Sequence, residues 1–350
     1  MLHPRLNLGL LGFSATQRAL VESFLALRAA APVDKRAAKN NNTTNTSLWQ
    51  ITDYREANAL LLNTQQARMD ALQTLRFSTD AKHTDLVGVN LSELSIPYAL
   101  VGEVSFPIHS AVAHNTPNVV LGDSESMRSA LEFFEASLRS LRALFTMAQL
   151  LLERRNELDD RHTFHLVRRS VLEAIVDVPQ QRVMLRDGPR PSELEEADWL
   201  SRPASANSMP QGFAMWSMEE LAWLYALHNP VIDLPERYRK LPIYLRQPPR
   251  VRPSMIYPRH VALLELLGQE PCSYQRLVDA FPQQPDLLQR DLYVLFACRA
   301  ITTSPKRVGL PTVNLTHSQP PTTRPPFSQT SVQPTTQQPF QLETMHAGLH

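Results

Sequence analysis

Short and nearly continuous apolar runs alternate with helix-like patterns over residues 6–108. Runs that are apolar at every position are typical of strands buried on both faces of a parallel sheet. Helices are predicted between them, at Thr16–Arg28 and from about Gln65 to Leu75. The alternation predicts an α/β, doubly wound domain over residues 1–123. The predicted strands are Leu6–Leu11, Leu48–Thr52, Ala59–Asn63, Asp85–Asn90 and Tyr98–Val101. The apolar face of the first helix consists of Leu20, Phe24 and Leu27.

Two segments have a composition that is typical of disorder. Residues 31–47, an insertion in the first domain, contain a run of Asn and Thr and almost no large apolar side chain. Residues 304–350 are rich in Pro, Thr and Gln. Neither segment can bury enough apolar surface to offset the entropy of ordering, so both are predicted to be disordered, the second as a tail.

A heptad pattern follows the first domain and predicts one long connecting helix over residues 124–160. Apolar residues recur there at alternating spacings of four and three, which places them on one side of a helix. Such a seam packs either against another part of the same chain or against a second copy, as a homodimer. The seam residues are Met127, Leu131, Phe134, Leu138, Leu141 and Phe145.

The second half of the chain divides into an acidic and a basic segment. Residues 187–236 hold nine acidic and two basic side chains, and residues 237–307 hold five acidic and twelve basic ones. The patterns within residues 161–236 predict a small α+β segment. Its predicted elements are strands at Val171–Val178 and Arg182–Leu185 and a helix at Met218–Leu227.

Three short helices are predicted within residues 237–303, at Arg259–Leu267, Tyr274–Phe281 and Pro285–Ala300, with Ser273 and Asp286 as N-caps. Three helices of this size resemble a winged-helix unit. The third helix has few polar residues for an outer face, whereas a helix that reads DNA needs several. A winged-helix-like unit that contacts protein is therefore favoured at least as strongly as one that reads DNA.

A basic connector, Arg237–Arg259, precedes these helices and contains seven basic residues, no acid and three tyrosines. Three interpretations stay open: it neutralises the acidic segment, it binds nucleic acid, or it binds a phosphorylated small ligand. Arg246 and Arg250 have the RxxxR spacing that resembles half of the cyclic-di-GMP motif of PilZ domains, but the second half is missing. The candidate contacts are Arg237, Arg239, Lys240, Arg246, Arg250, Arg252 and Arg259.

The order strand, helix, strand, strand, helix, strand, strand, long helix resembles the receiver domain of response regulators over residues 6 to about 155. In that family, carboxylates after the first strand bind Mg²⁺, and an Asp at the end of the third strand accepts the phosphoryl group. A Ser or Thr ends the fourth strand, and a Lys precedes a Pro after the fifth. The resemblance implies where a phosphorylation site would lie in this chain.

The residues at those positions cannot perform the family's chemistry. The third predicted strand ends at Asn63, which lacks the anionic oxygen that attacks phosphorus. No acid follows the first strand, so Mg²⁺ would have no carboxylate ligand. The sequence therefore predicts a pseudo-receiver. The other positions carry Gly12, Phe13 and Ser14 after the first strand, Gly88, Val89 and Asn90 at the end of the fourth, and Phe106 before Pro107.

Several function classes lack any sequence support. The net charge of +1 argues against a general polyanion binder. Because GxGxxG, GxxxxGK[ST], HExxH and GxSxG are all missing, no catalytic residue, metal ligand or cofactor is predicted. Cys272 and Cys298 cannot form a disulfide framework, and no apolar run reaches the roughly 18 residues that a bilayer requires. These features predict a cytoplasmic protein without a membrane span.

Together these observations predict a non-enzymatic, bacterial-type signalling or regulatory protein that binds protein partners through a phosphorylation-incompetent receiver-like domain. The first alternative is a DNA-binding transcriptional regulator that uses the basic C-terminal unit. The second alternative is an effector of a cyclic dinucleotide, which would bind at the basic connector.

Overall fold

The computed structural model describes residues 2–30, 48–69, 74–78, 86–91, 93–102, 116–232, 234–282 and 285–309. All of them belong to one compact unit, residues 1–312. The two segments predicted to be disordered, 31–47 and 304–350, lie outside the described residues except for 304–309. No helix within the described ranges is both long and apolar enough to cross a membrane.

The described residues form a mixed α/β structure that contains a parallel sheet. The strands are β1 (Arg5–Leu11), β2 (Leu48–Thr52), β3 (Ala59–Asn63), β4 (Ala67–Met69), β5 (Thr74–Ser78), β6 (Leu86–Asn90), β7 (Tyr98–Val101), β8 (Asn118–Val119), β9 (His162–Arg168), β10 (Val171–Asp177), β11 (Arg182–Arg186), β12 (Asp198–Pro203), β13 (Phe213–Ser217), β14 (Tyr244–Leu245) and β15 (Ile301–Thr302). The helices are α1 (Ala15–Ala30), α2 (Ser124–Ser137), α3 (Arg139–Glu153), α4 (Pro191–Glu195), α5 (Met218–His228), α6 (Arg237–Lys240), α7 (Pro258–Gln269), α8 (Tyr274–Ala280) and α9 (Pro285–Ala297).

Five parallel strands make the first sheet, in the order β2-β1-β3-β7-β8. Alternate residues of β1 and β3 enter two different cores, one on each face of the sheet. Leu8 and Leu61, for example, lie on one face, and Leu11 and Leu60 lie on the other. This burial on both faces explains why the runs are apolar throughout.

The two faces of this sheet have different covers. Helices α1 and α2 pack on one face, whereas the antiparallel sheet β4-β5-β6 packs on the other. The predicted helix at Gln65–Leu75 is therefore wrong, and the predicted strand at Asp85–Asn90 corresponds to β6 of the antiparallel sheet β4-β5-β6. The reason is a period of two in β5, where Leu75 and Phe77 are fully buried and Arg76 between them is exposed.

Helix α1 buries a different face from the one that the sequence predicts. Val21 and Leu25 enter the core, whereas Leu20 is 50% exposed and Leu27 is 73% exposed. Arg28, on the buried side, donates to Glu135 of α2 at 3.0 Å. The two neighbouring apolar stripes of this helix have the same period, so the packing partner selects between them.

The predicted connecting helix is two helices, α2 and α3, separated at Leu138 (φ −88°, ψ 17°). Helix α2 packs on the parallel sheet, and α3 packs on a second, antiparallel sheet. Five of the six seam residues are buried inside the chain, and Leu141 is half-buried. The seam is therefore not available to a second copy, and the predicted homodimer through it is wrong.

The second sheet has the antiparallel order β12-β9-β10-β11-β13. The strand predictions for β10 and β11 and the helix prediction for α5 are confirmed. Helix α5 is apolar on all sides because it enters two cores. Its Leu221 and Leu224 pack with α3 and the sheet, and its Trp223 and Ala226 pack with the C-terminal helices.

The three C-terminal helices α7, α8 and α9 confirm the sequence prediction, and β14 pairs with β15 beside them. Ser273 caps α8 as predicted, with its hydroxyl accepting from the Arg276 backbone N–H at 3.2 Å. The predicted cap Asp286 is wrong, because α9 begins one residue earlier, at Pro285. Every residue from Leu287 to Cys298 is buried or half-buried, so α9 is enclosed by the rest of the chain.

Candidate functional site

The seven basic residues of the connector do not form one surface. Three of them have carboxylate partners, which agrees in part with the interpretation that the connector neutralises the acidic segment. Lys240 Nζ lies 2.7 Å from Glu236, Arg252 Nε lies 3.0 Å from Glu220, and Arg259 pairs with Asp291 at 2.8 Å. The guanidinium of Arg252 also lies over the Trp216 ring, 4.0 Å from its centroid.

Arg239 and Arg250 are exposed. Arg250 contributes a backbone contact, in which its N–H donates to Glu219 Oε1 at 2.7 Å. Arg246, in contrast, is half-buried and lines a cavity. Arg250 is not among the residues that line this cavity, so the two arginines of the RxxxR pair do not share it.

The remaining two predicted residues, Arg237 and Arg246, meet two others that the sequence did not single out, Arg299 and Arg307. Together they line a cavity of about 470 Å³, which we call the basic cavity. No carboxylate occurs among the described residues that line it. Its other lining residues are Tyr238, Phe296, Ile301, Thr302, Thr303 and Ser304.

Backbone hydrogen bonds fix the walls of the basic cavity. The Arg246 N–H donates to the Ala300 carbonyl at 2.7 Å, and the Gly309 N–H donates to the Arg246 carbonyl at 3.3 Å. The Ser304 N–H donates to Thr302 Oγ1 at 3.1 Å. These bonds hold the segment after β14 against the segment after α9, and so bring arginines together that are more than 50 residues apart in the chain.

Tyr238 forms an aromatic wall of the basic cavity. It is 3% exposed, its hydroxyl donates to the Ile301 carbonyl at 3.2 Å, and its ring meets Phe296 edge-on with centroids 5.3 Å apart. Burial raises the pKa of Tyr238, and the nearby charges of Arg237 and Arg307 partly oppose that rise. The hydroxyl therefore stays protonated and keeps the ring in place.

Arg299 occupies a backbone position that favours glycine. Its φ is 57°, and it follows α9 in a Schellman motif. The Ala300 N–H donates to the Leu295 carbonyl and the Arg299 N–H donates to the Phe296 carbonyl, both at 2.9 Å. A left-handed arginine in the wall of a cationic cavity is the local strain that functional sites often retain.

We expect the variant Arg299→Gly to be more stable than Arg299→Ala by about 1 kcal/mol. Both substitutions remove the guanidinium, but only glycine adopts φ 57° without a clash at Cβ. Urea unfolding of the two variants measures this difference. Equal stability of the two variants would contradict the assignment of strain to this residue.

The second candidate region is the carboxyl edge of the parallel sheet, where β3 ends at the fully buried Asn63. Its Nδ2 donates to Gln17 Oε1 at 3.2 Å, and its Oδ1 accepts from the Gln65 N–H at 3.2 Å. At Gly12 (φ 75°), an added Cβ would lie 2.9 Å from the Phe77 ring. Side chains therefore fill the edge at β1 and β3, and neither the last residues of these two strands, Leu11 and Asn63, nor Gly12 after β1 carries a carboxylate.

The observed order of the parallel strands also changes which residues follow the fourth and fifth strands of the receiver-like pattern. Gly88, Val89 and Asn90 lie in or near the end of β6, which is outside the parallel sheet, and Phe106 lies outside the described residues. The fourth and fifth parallel strands are β7 and β8, which are followed by Gly102 and Val120. Within the described ranges, no cluster of three or more His, Cys, Asp or Glu could hold a metal ion.

Comparison with known proteins found no protein family, no curated protein and no solved structure that matches this chain. The functional conclusions therefore depend on the chemistry of the two regions described above. One of these regions concentrates cations around a cavity, and the other places the buried carboxamide of Asn63 at the end of β3.

Proposed function

We propose that the chain is a non-enzymatic regulatory protein of bacterial type that binds partners through a receiver-like domain that cannot be phosphorylated. The strand order 2-1-3-4-5 of the parallel sheet supports this proposal, because receiver domains and flavodoxins share that doubly wound order. The domain differs from that pattern on one face, where the described residues supply the antiparallel sheet β4-β5-β6 instead of helices.

The observation that carries the proposal is the buried Asn63 at the end of β3. A carboxamide has no anionic oxygen to attack phosphorus, and its donor and acceptor groups already bond Gln17 and Gln65. The residues after β1, Gly12 and Phe13, supply no carboxylate for Mg²⁺. Val120 after β8 supplies no cation to neutralise a phosphoryl group.

An apolar stripe on α1 supports a role in binding protein. Leu20, Phe24 and Leu27 have the i, i+4, i+7 spacing of one helix face, and Leu20 and Leu27 are largely exposed. Apolar side chains grouped in this way often mark interaction surfaces. A protein partner with an apolar surface would cover this stripe.

The enclosed helix α9 gives no support to the alternative of a DNA-binding transcriptional regulator. In a winged helix, the third helix enters the major groove and presents exposed polar side chains to the bases. The polar residues Arg290 and Asp291 of α9 are buried and bonded within the chain. The burial of this helix favours partner or ligand binding by the C-terminal unit.

Incubation with acetyl phosphate and Mg²⁺ tests the proposal, with intact-protein mass as the measurement. We expect no phosphoryl adduct on the wild type. We also expect none on Asn63→Asp, because the restored acceptor would still lack carboxylates for Mg²⁺. A stable gain of one phosphoryl group by the wild type would overturn the proposal. Circular dichroism of both proteins confirms that each is folded in the assay.

A further inference from the structure

Unlike Lys240, Arg252 and Arg259, the arginines that line the basic cavity have no carboxylate among the described residues that line it. Arg252 and Arg259 pair with Glu220 and Asp291, so their charges are neutralised within the chain. Among the described residues, Arg246, Arg299 and Arg307 form no ion pair. Like charges gathered around a partly enclosed cavity repel each other, and an anion between them relieves that repulsion.

One arginine that lines the cavity has a hydrogen-bond donor without a partner. Arg246 Nε is buried and has no acceptor among the described residues. A buried donor without a partner costs free energy. Hydroxyls of Thr303 and Ser304 line the same cavity. Guanidinium forks together with hydroxyls and N–H groups match the oxygens of a phosphate.

Size and shape narrow the class of ligand. A volume of about 470 Å³ lies within the usual range for small-molecule sites. The half-buried ring of Phe296 lines the cavity beside the fixed Tyr238, and an aromatic ring is a suitable surface for a nucleobase. Free phosphate would leave this aromatic wall unused. A DNA duplex is too wide to enter a cavity of this volume.

We propose that the basic cavity binds a nucleotide. The guanidinium groups of Arg246, Arg299 and Arg307 hold the phosphates, and the ring of Phe296 contacts the base. This proposal is independent of the phosphorylation-incompetent receiver-like domain, because the cavity lies in the C-terminal unit and shares no residue with the carboxyl edge of the parallel sheet.

Isothermal titration calorimetry of the full chain at low salt tests the proposal, with ATP, GTP, cyclic-di-GMP and inorganic pyrophosphate as separate probes. We expect at least one nucleotide to bind the wild type and to bind more tightly than pyrophosphate. We expect Arg246→Ala and Arg299→Gly each to weaken that binding about 10- to 100-fold, since each removes charge-assisted hydrogen bonds. Arg239→Ala is the matched control, because Arg239 is an exposed arginine of the same connector that does not line the cavity.

Several outcomes would overturn the proposal. They are no heat of binding with any nucleotide at about 1 mM, equal affinity in Arg246→Ala, Arg299→Gly and wild type, or pyrophosphate binding as tightly as every nucleotide. Displacement of the bound nucleotide by a random DNA duplex would assign the surface to nucleic acid instead. Because glycine suits the backbone at position 299, loss of binding in Arg299→Gly cannot be attributed to unfolding. A urea unfolding curve of that variant verifies this point.

Discussion

Replacing Asp291 by alanine is expected to lower the free energy of unfolding by about 3–5 kcal/mol. Asp291 lies in α9 and is 4% exposed. Both of its carboxylate oxygens accept from Arg259 Nε, at 2.9 and 2.8 Å, and Oδ1 also lies 2.9 Å from Nε2 of the fully buried His260. Removal of the carboxylate leaves the buried imidazole of His260 without its acceptor and the half-buried guanidinium of Arg259 with one carboxylate fewer, and loss of one partner from a buried pair is strongly destabilising.

The same cluster joins the C-terminal helices to the parallel sheet. Arg259 also pairs with Glu56, which lies in the 3₁₀ turn Tyr54–Glu56 between β2 and β3. Asp291 therefore orients a side chain that bridges two parts of the chain more than 200 residues apart. The expected loss includes this bridge as well as the local hydrogen bonds.

Urea unfolding monitored by circular dichroism measures the effect of Asp291→Ala. Asp279→Ala is the control, because Asp279 is an exposed residue of α8 that bonds only Gln275, and its removal is expected to cost less than about 0.5 kcal/mol. Asp291→Asn keeps the volume and part of the hydrogen bonding, so it is expected to fall between the two. A loss below about 1 kcal/mol for Asp291→Ala would show that the cluster contributes little to stability.

Acidification from pH 6.5 to pH 4 is expected to cost the protein about 3 kcal/mol of stability through His228 alone. His228 ends α5, is 3% exposed, and has its Nδ1 2.7 Å from the Arg5 carbonyl in β1. Because a carbonyl only accepts, Nδ1 carries the proton of the neutral ring. Burial lowers the pKa of His228 from 6.5 to about 4; the bond to the Arg5 carbonyl opposes this shift, and the nearby Arg290 cation adds to it.

The direction of the pH effect follows from the sign of this shift. The pKa of His228 is lower in the folded chain than in the unfolded chain, so the unfolded chain binds more protons between pH 4 and pH 6.5. The stabilisation is therefore fully present above pH 6.5 and is lost as the pH falls towards 4. Each pKa unit corresponds to about 1.4 kcal/mol.

A variant that cannot titrate isolates this contribution. His228→Asn places an amide donor near the position of Nδ1 and so retains a hydrogen bond to the Arg5 carbonyl. Urea unfolding at pH 7, 5.5 and 4 is expected to show a loss about 3 kcal/mol smaller in the variant than in the wild type. Parallel pH dependence in the two proteins would contradict the assignment to His228.

Local patterns in the sequence predict many of the elements correctly. The apolar runs of β1, β3 and β7, the helices α5 and α7, and the cap Ser273 all lie where the sequence places them. In each case the residues nearby in sequence determine the conformation, through periodicity or a side-chain cap. The sequence also shows directly that no acid stands at the ends of β1 and β3, because residue identity does not depend on the tertiary structure.

The wrong predictions arise at segments for which two conformations or two buried faces have similar local energies. The segment from Gln65 to Leu75 is rich in helix-forming residues, yet the second face of the parallel sheet takes Leu75 and Phe77 as part of a strand. The heptad seam is real, but its break at Leu138 exists because two different sheets need to be covered. The burial of Val21 instead of Leu20 on α1 has the same origin.

The sequence by itself therefore determined the apolar segments that become strands and helices, the boundary between an acidic segment and a basic one, and the absence of an acid at the ends of β1 and β3. The tertiary structure alone decided which arginines are neutralised and which meet around the basic cavity. Arg246 and Arg299 become neighbours only because hydrogen bonds join the segments that follow β14 and α9. Charge counts are properties of the chain, whereas the distances that give those charges a function are set by long-range packing.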